Sequence, residues 1–313
     1  MHEEMSRDEQ VFIMGEDIGA RGGVFLATDG FLNEFGEDRV IDTPLAESSI
    51  AGIAMGAAMN GLRPIAEIQF ADFIWSTFSQ ILGEAARLRY GTNGSMCAPM
   101  VVRSPYGGGV RGGLYHSQSV EAFFAHAPGL TVITPATPYD AKGLLKSAIR
   151  SDDPVIFLEH KRTYRLVKGD IPDEEYTIPI GKADIKLEGE DITVISYGLM
   201  VHHCLEAARS LINNGTSVEV IDLRTIRPLD NETILSSVRK TGKVLIVHED
   251  NQAFGIGGEI SAMICEHAFE YLDGPIKRLA GPEVPAMPFS PPMEDEFMIN
   301  SENIVNSIKN VTQ

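Results

Sequence analysis

Thr43-Pro44-Leu45-Ala46-Glu47 puts an acid at the head of a segment, Ser48 through Leu62, that contains no charged residue. Thr43 is the expected N-cap and Pro44 the first helical residue, which sets Glu47 about one turn in. A capping box from Thr43 would need its acid at position 46, which is Ala46, so Glu47 is not there to close the cap. The helix behind it (Ile50, Ala51, Gly52, Ile53, Ala54, Met55, Gly56, Ala57, Ala58) is small and apolar all round, which predicts burial on every side. A carboxylate at the entrance to such a helix must find a partner, be neutral or face a cleft. Complementing the helix dipole is the simpler alternative.

A second candidate follows a glycine-rich run. Tyr106-Gly107-Gly108-Gly109-Val110-Arg111-Gly112-Gly113 leads directly into Leu114-Tyr115-His116-Ser117-Gln118-Ser119. Glycines open backbone conformations closed to other residues and let a ligand approach closely. His116 on such a loop could exchange protons near neutral pH; capping or packing is the structural alternative.

Other motifs fall away. Gly255-Ile256-Gly257-Gly258-Glu259 is half a dinucleotide fingerprint without its third glycine, so a tight turn into a helix is expected. His202-His203 has no ligand partner four residues on, and His248-Glu249-Asp250 lacks the second histidine of a zincin. No G-x-S-x-G occurs. Gly52 and Gly56, four apart, point to close packing in a buried or subunit interface.

Alternating β-rich and helical segments must position these residues. Strands are expected at Val11–Met14, Ile65–Phe70, Met100–Arg103, Leu130–Thr134 and Val155–Glu159. Helices are expected over 44–60, Asp72–Tyr90, Val120–Phe124 and Pro138–Arg150. From residue 160 the chain turns basic (Lys161, Arg162, Arg165, Lys168), then acidic, with Pro172 and Pro179, which reads as a surface linker. The alternation then restarts with strands Ile192–Tyr197, Val218–Leu223 and Val244–His248. Between and after them come helices Val201–Asn213, Asn231–Thr241, one after Gly257-Gly258, and one near Glu302–Val311. The fold class is α/β: two domains, each a mainly parallel sheet flanked by helices.

A length of 313 residues allows two such cores. The net charge of −18 opposes nucleic acid as a partner and suits a basic protein surface. Cys97, Cys204 and Cys265 are scattered, as expected in a reducing cytoplasm. The acidic start, Met1-His2-Glu3-Glu4, carries no signal-peptide pattern, and residues 48–62 are too short for a membrane span.

Taken in order, these segments resemble the β subunits of thiamine-diphosphate-dependent 2-oxo acid dehydrogenases. The resemblance rests on Gly15-Glu16-Asp17-Ile18-Gly19, Gly22-Gly23-Val24-Phe25, Asp42-Thr43-Pro44-Leu45-Ala46-Glu47 and Ala66-Glu67-Ile68-Gln69-Phe70-Ala71-Asp72. It continues through Tyr115-His116-Ser117-Gln118, Tyr139-Asp140-Ala141-Lys142-Gly143-Leu144-Leu145, Asp153-Pro154-Val155-Ile156 and Val220-Ile221-Asp222-Leu223-Arg224-Thr225. The run Leu114–Phe124 with Ala125-His126 is most similar to the branched-chain members.

The resemblance implies two domains of transketolase type: a pyrimidine-binding domain over 1–170, a linker over 171–190, and a transketolase C-terminal domain over 191–313. It implies an α subunit in an α2β2 heterotetramer, because the Gly-Asp-Gly and Asn-Asn signature that holds Mg²⁺ and the diphosphate is missing from this sequence. Glu47 then matches the glutamate that shares a proton with N1′ of the cofactor's aminopyrimidine. Leu45 and Gln69 match pocket-lining positions, and Phe73 stands where close relatives carry tyrosine. His116 matches the histidine that assists acyl transfer to a lipoyl disulfide. A structural potassium ion of some relatives would fall on Ala98, Met100, Val101, Ala148, Ser151 and Asp153, with Val101 in place of a ligating threonine. The acidic C-terminal domain would dock on the basic binding domain of a lipoyl acyltransferase core. Pyruvate and acetoin dehydrogenase β subunits, a non-catalytic assembly subunit and a self-sufficient transketolase-like enzyme are the competing readings.

Overall fold

The computed structural model describes residues 1–212 and 215–312. The first half carries strands β1 (Val11–Gly15), β2 (Val40–Asp42), β3 (Arg63–Glu67), β4 (Val101–Tyr106), β5 (Thr131–Ile133) and β6 (Val155–His160). The second carries β7 (Asp184–Leu187), β8 (Ile192–Ser196), β9 (Val218–Asp222), β10 (Thr225–Arg227), β11 (Val244–Asn251) and β12 (Lys277–Gly281). They form a seven-stranded sheet, β10-β5-β6-β4-β3-β1-β2, and a five-stranded sheet, β12-β11-β8-β9-β7. Both are parallel except at one edge, where β10 runs antiparallel to β5 and β7 antiparallel to β9. The central strands are buried because helices cover both faces of each sheet. Val11–Gly15, for example, is buried throughout.

Two helices start and stop where the sequence predicts. Pro138–Arg150 is capped by Thr137, whose hydroxyl accepts from the Asp140 N–H at 3.1 Å. Asn231–Thr241 is capped by Asp230 and ends on Gly242 at φ +66°. Others depart from expectation. The single helix expected over Asp72–Tyr90 is a 3₁₀ stretch (Ala71–Thr77), a π-wound stretch (Ser79–Ala85) and a final α-turn segment (Ala86–Gly91). The Thr77 hydroxyl bonds the Ile74 carbonyl at 2.6 Å, a local bond that accompanies the tight i→i+3 winding. Residues 184–187 of the expected linker form β7 instead of a free loop. The helix expected over Val201–Asn213 is Leu199–Ile212; Asn213 lies outside the described residues.

The two halves share packing. One apolar cluster joins Tyr106, Val120 and Phe124 of the first half to Ile195, Tyr197 and Ile256 of the second. Separate clusters cover the outer face of each sheet. β10 crosses from the second half to extend the first sheet, where Thr225 pairs with Ile133.

Candidate active site

Register brings the candidate residues to one rim. Gly15 pairs with Asp42 on one side and with Glu67 on the other; Glu67 pairs with Arg103, and Tyr106 with His160. Since these strands are parallel, the segments that follow them leave the same end of the sheet. This is the crevice where open α/β sheets bind ligands. Residues 16–19, 43–47, 68–73, 107–118 and Lys161 all follow these strand ends.

Glu47 is the first residue of the helix Glu47–Met59, with Ala46 as N-cap and no side-chain cap. The expected start at Thr43 is therefore corrected. The Thr43 N–H donates to the Gly15 carbonyl at 2.9 Å, which ties it to β1. A residue before proline also disfavours the helical region. The expected burial on every side is corrected too. Ile50, Ala51, Ala54 and Ala58 are buried, while Ile53 on the opposite face is 59% exposed. A Cβ on Gly56 would meet nothing within 4 Å, so no helix of the described chain packs there.

Beside Glu47 lies Glu16, which is buried and has one carboxylate oxygen, Oε1, without a hydrogen-bond partner among the described residues. Burial raises its pKa, and the charges of Glu47 and Asp17 raise it further. The Thr43 hydroxyl is also buried without a partner among these residues. Asp17 accepts from the Gln69 amide at 3.3 Å. Leu45, at 79% exposed, stands open at the rim.

An aromatic wall continues from Gln69. The Phe70 ring meets His116 edge-on at 4.6 Å, and Phe73 meets His116 at 5.5 Å. Gln69, Phe73 and His116 thus come together around Phe70, while Glu47 connects to them through Glu16, Asp17 and Gln69. The His116 loop is closed at its neck by the Gly107 N–H on the Gln118 carbonyl, 3.0 Å. Beneath the crevice the Arg103 guanidinium pairs with Glu67 and Glu159 in a buried network that includes Tyr164. Burial pushes the Glu67 carboxyl upward while Arg103 opposes it.

The potassium positions lie at the other end of the sheet, where β4 and β6 begin. Their carbonyls are engaged. Ala98 accepts from the Met100 N–H at 2.8 Å, Met100 from Val155 at 3.0 Å and Ala148 from Ser151 at 3.2 Å. The Ser151 hydroxyl donates to the Asp153 carbonyl at 3.2 Å. The Arg63 guanidinium holds the Ile149 and Ser151 carbonyls at 3.0 Å each and the Asp152 carboxylate at 2.7 Å. The Arg63 cation already sits on the Ser151 carbonyl, and Val101 brings no hydroxyl where some relatives carry a ligating threonine. Among the described residues no group of three or more His, Cys, Asp or Glu side chains could hold a metal ion.

Sequence reasoning missed Lys161 and Glu249. Lys161, placed in the basic surface stretch, is 3% exposed. Glu249 accepts from the Gly108 N–H at 2.6 Å and pairs with His160 at 2.9 Å. For Lys161, position at the end of a strand was the available signal.

The family model described as transketolase, pyrimidine binding domain, matches residues 1–167, and that of the transketolase C-terminal domain matches residues 181–304. Over 313 residues the chain is 58% identical to the 2-oxoisovalerate dehydrogenase subunit beta of Bacillus subtilis (strain 168), spanning 100% of this chain and 96% of that one. The chain belongs to the 2-oxo acid dehydrogenase β subunits. It is 47% identical over 310 residues to the pyruvate dehydrogenase E1 component subunit beta of the same organism, covering 99% of this chain and 95% of that one. A solved structure described as a split gene transketolase, inactive beta4 tetramer, superposes with a TM-score of 0.79 at 22% identity, covering 99% of this chain and 94% of that one. This likeness supports the fold alone: two transketolase-type domains. Grooves of 710, 810 and 770 Å³ on this β subunit are not lined by Glu47 or His116, whose crevice is an open rim.

Proposed function

We propose that this chain is the β half of a branched-chain 2-oxo acid dehydrogenase, acting with an α subunit to decarboxylate branched 2-oxo acids on thiamine diphosphate. The carrying observation is full-length identity of 58% to a 2-oxoisovalerate dehydrogenase β subunit, against 47% to pyruvate dehydrogenase β subunits. The acyl group passes to the lipoyl group of an acyltransferase core, whose basic binding domain meets the acidic surface of this chain. The cysteines are all free, which suits the cytoplasm as the location. The two domains are taken as 1–170 and 184–313, because β7 belongs to the second sheet.

The crevice fits the cofactor's aminopyrimidine. Glu16 Oε1 and the Thr43 hydroxyl are buried without partners among the described residues, and Gln69, Phe70 and Phe73 supply an amide and aromatic edges. Thiamine diphosphate supplies a cationic ring that accepts the electron pair released as CO₂ leaves. Glu47 would share a proton with ring nitrogen N1′ of the bound cofactor. Leu45 and Phe73, exposed at the rim in the free chain, would line the pyrimidine pocket. Phe73 retains ring packing without a hydroxyl. His116 protonates the thiolate that leaves when the lipoyl disulfide opens. The α subunit holds Mg²⁺ and the diphosphate; no step is assigned to potassium. The outward stripe of Gly52, Ile53 and Gly56 and the exposed Leu45 are covered by the partner.

The test is decarboxylation of 3-methyl-2-oxobutanoate and of pyruvate with thiamine diphosphate and Mg²⁺, with and without the α subunit. Activity only with the partner, favouring the branched acid, is expected. A preference for pyruvate overturns the substrate assignment, and activity of this chain alone overturns the shared site.

A further inference from the structure

Lys161 follows the last residue of β6 and is tied to β4 by its N–H on the Tyr106 carbonyl, 3.0 Å. Its side chain is buried, and Nζ has no hydrogen-bond partner among the described residues. Nζ lies 5.7 Å from the centre of the Phe70 ring, the same ring that meets His116 edge-on at 4.6 Å. An unpaired buried ammonium is costly unless nearby charge compensates it.

Three carboxylates hold the loop that carries His116. Glu249, in the second half of the chain, accepts from the Gly108 N–H at 2.6 Å. Glu294, fully buried, accepts from the Gly109 N–H at 2.8 Å and the Arg111 N–H at 3.1 Å. Asp72 accepts from the N–H groups of Ser117 and Gln118, each at 3.2 Å. The loop is therefore gripped at its start, middle and end, with Ser117 and Gln118 directly after His116. Lys161 Nζ lies over Phe70, two residues before Asp72, and its chain neighbour His160 pairs with Glu249, which places the ammonium where its charge acts on two of the three, Asp72 and Glu249. Glu294 has its own cation in Arg111, at 2.8 Å. Glu249 also has His160 at 2.9 Å, which leaves Asp72 most dependent on the lysine.

We propose that Lys161 and Asp72 are positioning residues for acyl transfer, the buried ammonium serving as the shared counter-charge of a carboxylate clamp that fixes the His116 loop. The proposal rests on the reading of His116 given above. Burial brings the Lys161 ammonium down to about 8 while Asp72 and Glu249 hold it up. Asp72 itself is raised by burial and opposed by Lys161 and its two N–H donors. Removing the ammonium favours protonation of Asp72 and weakens its charge-assisted bonds to Ser117 and Gln118. The loop end next to His116 then loosens. A proton donor that must meet a disulfide delivered by another protein loses rate when its placement is lost.

The test uses the α/β assembly and compares wild type, Lys161→Met, Lys161→Arg and Asp72→Asn, with His116→Ala as reference. Two half-reactions are read: decarboxylation with an artificial electron acceptor, and acyl transfer to the isolated lipoyl domain. Lys161→Met is expected to lower kcat for acyl transfer by about tenfold to a hundredfold, several times more than it lowers decarboxylation, with KM for the lipoyl domain within about twofold. Lys161→Arg restores most of the loss because it keeps the charge. Amide hydrogen exchange over residues 107–118 is expected to speed up in Lys161→Met and Asp72→Asn while exchange over 138–150 stays unchanged. Unchanged loop exchange, or equal loss in both half-reactions, overturns the clamp. If His116→Ala leaves acyl transfer intact while loop exchange responds, the reading of His116 fails and the clamp alone stands. Should Lys161→Met not assemble, Asp72→Asn carries the same comparison.

Discussion

Gly107→Ala measures how tightly the His116 loop is built against the second half of the chain. Gly107 has φ +85°, and a Cβ there would collide with the His160 imidazole and lie 3.0 Å from Glu249 Oε1. Gly30 is a matched control, with φ +82° and nothing within 4 Å of an added Cβ. An L-residue in the left-handed region costs about 1–2 kcal/mol, which both substitutions incur. Crowding a packed, buried pair adds about 1–3 kcal/mol, which only Gly107→Ala incurs because His160 and Glu249 are both buried. The expected destabilisation is therefore about 2–5 kcal/mol for Gly107→Ala and about 1–2 kcal/mol for Gly30→Ala. Parallel urea titrations of the two α/β assemblies at one protein concentration read the difference. Equal midpoints and slopes would mean that the His160–Glu249 pair yields freely, and that the loop has no rigid wall behind it.

Glu47→Gln should lower decarboxylation by a factor of about 10² or more while the assembly still forms, since a general acid–base group contributes on that scale; near-normal turnover removes Glu47 from the N1′ role. Ile53→Asp, on the outward face of the Glu47–Met59 helix, should prevent co-purification with the α subunit and leave the chain's circular dichroism unchanged. An intact heteromer would place the interface elsewhere. His248 is held down to about 4 by burial, so the unfolded chain binds more protons between pH 4 and 6.5. Stability is then complete above about pH 6.5 and falls by up to about 3 kcal/mol as pH drops to 4. A His248→Asn chain should lack that part of the acid loss, and identical urea midpoint profiles for the two chains would refute it.

Local signals determined a good deal of this protein. Thr137 with Pro138, and Asp230 with Gly242, set two helices at their observed limits because caps act within a turn. Alternation of apolar runs with helical segments specified the α/β class, and the ordered motifs specified the family. The candidate residues were legible as single positions, while the rim that joins them emerges only from the strand register. Tertiary structure decided what depends on partners distant in the chain. The Thr43 N–H is claimed by Gly15, so the helix begins at Glu47, one residue after Ala46. Segment 225–227 leaves its own half to pair with β5. Lys161 reads as one more charge in a basic surface stretch, and only the end of β6 buries it beside Phe70, Asp72 and Glu249. Composition and spacing report which groups a segment offers. Which of them lose water is set by elements more than 80 residues apart, as with His160 and Glu249 at a separation of 89, and burial is what makes their charges matter.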